Sequence, residues 1–136
     1  MSYKEGQALF IKLPFADGGE SHYPRPFLIV EARKKSVELL NISSLKGKEL
    51  KVMRSTKNRI IKDYNPPFFK PSFVKLDALY IVEKNKKLKT THMANGTSLS
   101  EDELQVIKNR LDEYRKDNEF QFAEQRINTQ TFYKYN

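Results

Sequence analysis

Three short apolar runs, Ala8–Leu13, Phe27–Glu31 and Val37–Ile42, fall within the first 42 residues, separated only by a polar loop and the link Arg33-Lys34-Lys35-Ser36. Runs this short and dense read as strands, and links this short make neighbouring strands antiparallel. Pro14 closes the first run, and Asp17-Gly18-Gly19 carries turn chemistry. The loop then re-enters structure at Pro24-Arg25-Pro26. Each proline fixes its own φ, and the second biases Arg25 towards extended backbone. Arg25 therefore stands on a stiffened chain beside Gly18, Gly19, Glu20, Ser21 and His22. A guanidinium so placed either holds an anion or caps the loop through carbonyls or a carboxylate.

Further along, Ser72–Glu83 (SFVKLDALYIVE) is the longest strand candidate, with Val74, Leu76, Ala78, Tyr80 and Val82 on one face at period two. Before it, Pro66, Pro67 and Pro71 exclude a helix or a central strand. Asn95-Gly96 marks a turn, and Ser100-Glu101-Asp102-Glu103 fits a capping box: the Ser100 hydroxyl accepts from the Glu103 N–H, and the Glu103 carboxylate reaches back. Leu104, Ile107, Leu111 and Tyr114 then form an apolar helical stripe, the mark of a packing face. The tail from Glu119 is polar with scattered aromatics; it continues the helix, docks on the sheet or frays. The expected fold is mainly β: a small, strongly curved antiparallel sheet, barrel-like, with one C-terminal helix.

At 136 residues a single domain spanning 1–136 is expected. No apolar run approaches the roughly 20 residues of a membrane span, and the polar start MSYKEGQ shows no signal-peptide pattern, which fits a cytoplasmic location. The chain has no cysteine and two histidines far apart, so disulfides, thiolate sites and a Cys nucleophile are excluded and a zinc enzyme is not expected. No Gly-rich phosphate loop, metal-ligand cluster or nucleophile elbow is seen, so no cofactor or metal is expected. The net charge of +8 is concentrated: residues 33–75 carry twelve Lys/Arg against Glu38, Glu49 and Asp63. That imbalance points to a polyanion partner, nucleic acid or an acidic protein. Lys46, Lys48, Arg54, Lys57 and Arg59 are the candidate RNA contacts, with Tyr64, Phe68 and Phe69 as rings on which bases stack. Arg25 with the hydroxyls of Ser43 and Ser44, and Glu20 or His22 for proton transfer, is a set able to cleave RNA without metal, because the RNA supplies its own 2′-hydroxyl nucleophile.

These motifs fall in an order that resembles the MazF/PemK family of bacterial toxin–antitoxin systems: Gly6 before the opening strand, Gly19-Glu20 leading to Arg25-Pro26, Ser43-Ser44 ending a strand, Ser72-Phe73-Val74-Lys75-Leu76-Asp77 with Leu79–Lys84, and Gly96 with Leu99-Ser100 before a final helix. The resemblance runs over most of residues 6–115 and leaves a basic, proline-rich insertion at 49–71 and an extension at 116–136. It implies an SH3-like barrel that forms a homodimer and cuts single-stranded RNA without metal, leaving 2′,3′-cyclic phosphate and 5′-hydroxyl ends, until a cognate antitoxin of protein or RNA covers the site. It carries the catalytic roles to Arg25 and Ser43, with Ser44 the alternative, and sets Glu20 at the matching loop carboxylate, a substrate contact. Beside these, His22 and Asp77 are further candidates for catalysis or substrate contact, with Asp77 read first as a strand-surface charge. Two other readings stay open: a CcdB-like toxin that poisons a protein target such as DNA gyrase, and a non-catalytic RNA-binding barrel.

Overall fold

The computed structural model describes all residues except Met1, Asp17, Glu20, Ser21 and Asn118. Seven strands form one sheet: β1 (Ala8–Ile11), β2 (Arg25–Ala32), β3 (Ser36–Ser44), β4 (Asn58–Ile60), β5 (Ser72–Lys75), β6 (Ala78–Glu83) and β7 (Ala123–Ile127). Three α-helices accompany it, α1 (Glu49–Met53), α2 (Glu101–Lys116) and α3 (Thr129–Tyr135). The expected meander is present, with β1, β2 and β3 pairing antiparallel in sequence order.

The run expected as one strand over 72–83 is two. β5 and β6 both pair antiparallel with β3, but on different halves of it: Ile42 opposes Val74, and Leu39 opposes Tyr80. Residues 75–79 thus span a gap that β3 crosses with Leu40 and Asn41 alone. The backbone at this joint bonds elsewhere. Leu76 N–H donates to the Lys57 carbonyl at 2.7 Å, and the Asp77 carbonyl accepts from Ala123 N–H at 3.0 Å. These bonds draw in two outer strands, β4 against β5 and β7 against β6. The β6–β7 pair is parallel and the other pairs are antiparallel.

The sheet is bent but not closed: among the described residues no strand pairing joins β1 to β4 or β7. The free edge of β1 is instead covered by residues 92–99, through bridges from Gln7 to Ser98 and Leu9 to His92. Gly6, at φ +92°, makes this approach possible, since a Cβ there would stand 3.2 Å from the Ser98 Cβ.

Strand alternation gives each face its own core. Leu28, Val30, Leu40, Ile42, Val74, Leu76 and Leu79 pack under α2, whose Ile107, Leu111 and Tyr114 form the expected buried stripe. Leu9, Ile11, Phe27, Ile29, Val37, Leu39, Tyr80 and Val82 face the other way and pack with Ile127 of β7 and Phe132 of α3. The tail therefore docks. It adds a strand and a helix to the second core.

Ser100 caps α2 as expected, accepting from Glu103 N–H at 3.2 Å. The capping box is only half made, however, because the Glu103 carboxylate turns to the Lys62 N–H at 2.5 Å and the Asp63 N–H at 3.4 Å. It ties the basic middle to α2. That middle is folded: α1 and β4 lie within it, Val52 packs with Leu45 and Phe73, and the proline segment is free of helix and strand as expected.

Candidate functional site

The second face changes character along β3. Val37 and Leu39 belong to the core; Asn41 and Ser43 continue the same face as polar residues. Phe27 on β2 opposes Asn41, and continuing that register by two residues sets Arg25 across from Ser43. On the other side Ser43 opposes Phe73, and Lys75 lies two residues further along that face of β5. Arg25, Asn41, Ser43 and Lys75 thus share one face at one end of the sheet.

Arg25 is half-buried, and aromatic rings hold its guanidinium. Its Nη2 donates to the Tyr23 hydroxyl at 2.9 Å, and its Cζ lies 4.5 Å from the Tyr23 ring centre and 5.6 Å from that of Phe15. Such stacking orients a guanidinium and leaves its N–H edge to bond in the ring plane. The Nε is buried and has no hydrogen-bond partner among the described residues. Among those residues the ion pairs lie elsewhere, in Arg33–Glu38, Lys108 with Glu5 and Glu31, and Arg115–Glu124.

Lys75 sits among other charged groups. Burial, and then the nearby Arg25, push its ammonium below the usual lysine range; Asp77 pulls the other way, and Lys48 and Lys57 add smaller pushes downward. The lysines expected to meet RNA at 48 and 57 thus lie near Lys75, as Arg25 does. Among the described residues, four cations against the single carboxylate of Asp77 suit a polyanion.

Where β3 spans the joint with two residues and the opposing chain with five, a cavity of about 550 Å³ opens. Asn41, Lys75, Asp77 and Tyr80 line it, with Phe15 from the first loop and Phe122 from the tail. Asn41 is 4% exposed, and neither its Oδ1 nor its Nδ2 has a hydrogen-bond partner among the described residues.

The remaining expected residues scatter. Ser44 opposes Ser72 and alternates away from Ser43. Arg59 opposes Val74 and so lies on the other face from Lys75. Lys46 and Arg54 are exposed, on the turn after β3 and at the end of α1. His22 is exposed, and Glu20 lies outside the described residues. Phe68 corrects an expectation: at 2% exposure it fills the first core, where no base can stack on it, and neighbouring Phe69 is the exposed ring. Tyr64 is partly buried against that core. Asp77, expected as a surface charge or substrate contact, is half-buried in the cavity wall.

Sequence reasoning missed Asn41 and the placement of Lys75 beside Arg25 and Ser43. A signal for Asn41 was available: in VELLNI it falls on the same alternating face as Val37 and Leu39. Among the described residues no three His, Asp or Glu side chains converge as metal ligands, and no helix is long and apolar enough to cross a membrane. No protein-family model matches this chain, and no curated protein matches it.

Proposed function

We propose that this protein is a metal-independent endoribonuclease acting on single-stranded RNA, with Arg25 and Ser43 at its centre. The observation that carries the reading is the meeting of Arg25, Ser43 and Lys75 on one sheet face, with Lys48 and Lys57 close enough to depress the lysine. The RNA 2′-hydroxyl attacks the adjacent phosphorus and the P–O5′ bond breaks. The products are a 2′,3′-cyclic phosphate and a 5′-hydroxyl. Arg25 holds the non-bridging oxygens through its N–H groups and offsets the charge gathered in the pentacovalent state. The Ser43 hydroxyl donates one further hydrogen bond. Lys75, its ammonium weakened by burial, is the group on this face suited to return a proton to the leaving 5′-oxygen. His22 and Glu20, from the first loop, are the candidates to take the 2′-proton.

The wider reading is a toxin of MazF/PemK type, cytoplasmic and homodimeric, restrained by an antitoxin of protein or RNA. Its SH3-like barrel would correspond to the sheet bent at the β5–β6 joint. Leu50 and Met53, exposed on α1 beside the buried anchor Val52, supply apolar surface for a partner.

The test is incubation of the purified protein with mixed-sequence RNA in EDTA, beside Arg25→Ala, with product ends mapped. Discrete cuts bearing cyclic phosphates in the wild type alone are the expected result. Intact RNA that is still bound overturns the enzyme and leaves an RNA-binding module. Growth arrest undiminished in Arg25→Ala points instead to a poisoned protein target.

A further inference from the structure

The cavity at the β5–β6 joint has a role that phosphate chemistry does not require. Cleavage needs the phosphate held and protons moved; it does not need a buried carboxamide. Yet Asn41 presents one, 4% exposed, with donor and acceptor both unpartnered among the described residues and lining the cavity. Buried amides ordinarily find partners inside the protein, so an amide left this way is set for a group from outside. A side-chain carboxamide offers a donor beside an acceptor, the pattern that matches a nucleobase edge in a bidentate pair. The other walls fit the same ligand. Phe15 and Phe122 supply aromatic surface for a base to stack on, and Lys75 and Asp77 supply further polar atoms at the rim. The volume, about 550 Å³, lies within the range of small-molecule pockets.

Phe15 joins this cavity to the phosphate hook, since the Arg25 guanidinium lies over the same ring that lines the cavity. A nucleotide whose phosphate sits at Arg25 has its base beside that ring. We infer that the cavity is a nucleobase-reading pocket, in which Asn41 selects the base next to the phosphate held by Arg25 and the tail segment 121–123 forms one wall. The inference rests on the RNA reading above and deepens it. It also gives the extension a purpose: Gln121, Phe122 and Ala123 close the cavity on the side where the sheet is splayed.

The test separates base reading from cleavage. Binding of the full-length protein to 2′-fluoro hexamers of each single base, which lack the attacking hydroxyl, is measured by anisotropy at fixed salt. The wild type is expected to favour one base by roughly 5- to 150-fold, the range of one good bidentate pair. Asn41→Leu is expected to erase that preference and to keep the salt dependence, which the Lys and Arg groups set. Asn41→Asp, with acceptors in place of the donor, is expected to move the preference to a different base. Its melting curve and that of Asn41→Leu establish that each is folded. Equal affinity for all four bases, no binding at all, or a preference untouched by either substitution overturns the pocket. If no RNA is cut in EDTA while the preference still depends on Asn41, the pocket stands and the enzyme reading falls. Cleavage that depends on Arg25 with base preference indifferent to Asn41 reverses that outcome.

Discussion

Under α2, the middle of one sheet face is apolar: Leu28, Val30, Leu40, Ile42 and Val74 meet Ile107, Leu111 and Tyr114, with polar Glu38, Ser44, Ser72 and Arg59 only towards the ends and the outer strand. The opposite face begins the same way, with Val37, Leu39 and Phe27, then gives way within one strand to Asn41, Ser43, Arg25 and Lys75. Of the four buried side-chain polar atoms without a partner among the described residues, three belong to Arg25 and Asn41 on this second face; the fourth is Arg59 Nε. The first face is built for burial beneath α2, with Arg59 the exception on its outer strand, and the second gathers its unsatisfied polar groups at one end. Proteins accept such local cost where a ligand completes the set. The contrast teaches that stability and function are divided by strand alternation, so substitutions one residue apart should act in opposite directions.

That division is open to attack, most forcefully on the first face. Ile107→Ala removes a fully buried side chain and is expected to cost about 2–5 kcal/mol, read as a lower denaturation midpoint with unchanged RNA binding per folded molecule. On the second face, Arg25→Ala is expected to lower the rate of RNA cleavage about 10²- to 10³-fold, the usual loss for one oriented transition-state donor, while the melting temperature holds. Ser43→Ala removes a single hydroxyl donor and is expected to slow single-turnover cleavage by about tenfold.

Asn41→Leu carries the sharpest sign. Replacing an unpartnered buried amide with an apolar group of similar size is expected to stabilise the fold by about 1 kcal/mol, seen as a rise in urea midpoint. A loss there would mean that Asn41 belongs to the core.

The smallest expected effect is in pH. Lys75 has a depressed pKa in the folded state, so between that value and 10.5 the unfolded chain binds more protons, and stability rises with pH through this window. The stability that this group contributes is present above 10.5 and is lost as pH falls through the folded pKa. Lys75→Met is expected to melt higher than the wild type at neutral pH, with the difference shrinking towards pH 10.5. A constant difference would remove Lys75 as the cause.

Local patterns made much of this architecture legible. The first three strands, the Ser100 cap and the α2 stripe are all set by neighbours close in sequence, and each is found where periodicity places it. What the sequence hides is fixed by distant partners. Nothing in Leu76-Asp77-Ala78 marks a break, since it contains neither Gly nor Pro; backbone bonds to Lys57 and Ala123 make it. The segment AEQRI carries little apolar signal and becomes β7 only because β6 has a free edge. Glu103 abandons its capping box because two amides from the basic middle compete for its carboxylate. At the site, Pro24 and Pro26 announce Arg25, and Asn41 is readable as a polar residue on an apolar alternation. Phe68 and Phe69 stand side by side among prolines, where no period tells which ring turns inward.

The parallel partner of β6 has a consequence in time. On a ribosome adding about 5–20 residues per second, the 44 residues separating Glu83 from Ile127 take roughly 2–9 s to make. During that interval the outer edge of β6 has no strand beside it, and unpaired edges recruit other chains. The same interval withholds Phe122, one wall of the cavity. If the cavity reads a base as proposed, a nascent chain displays Arg25 and Ser43 before that pocket is complete, so selectivity would be the last property acquired in synthesis.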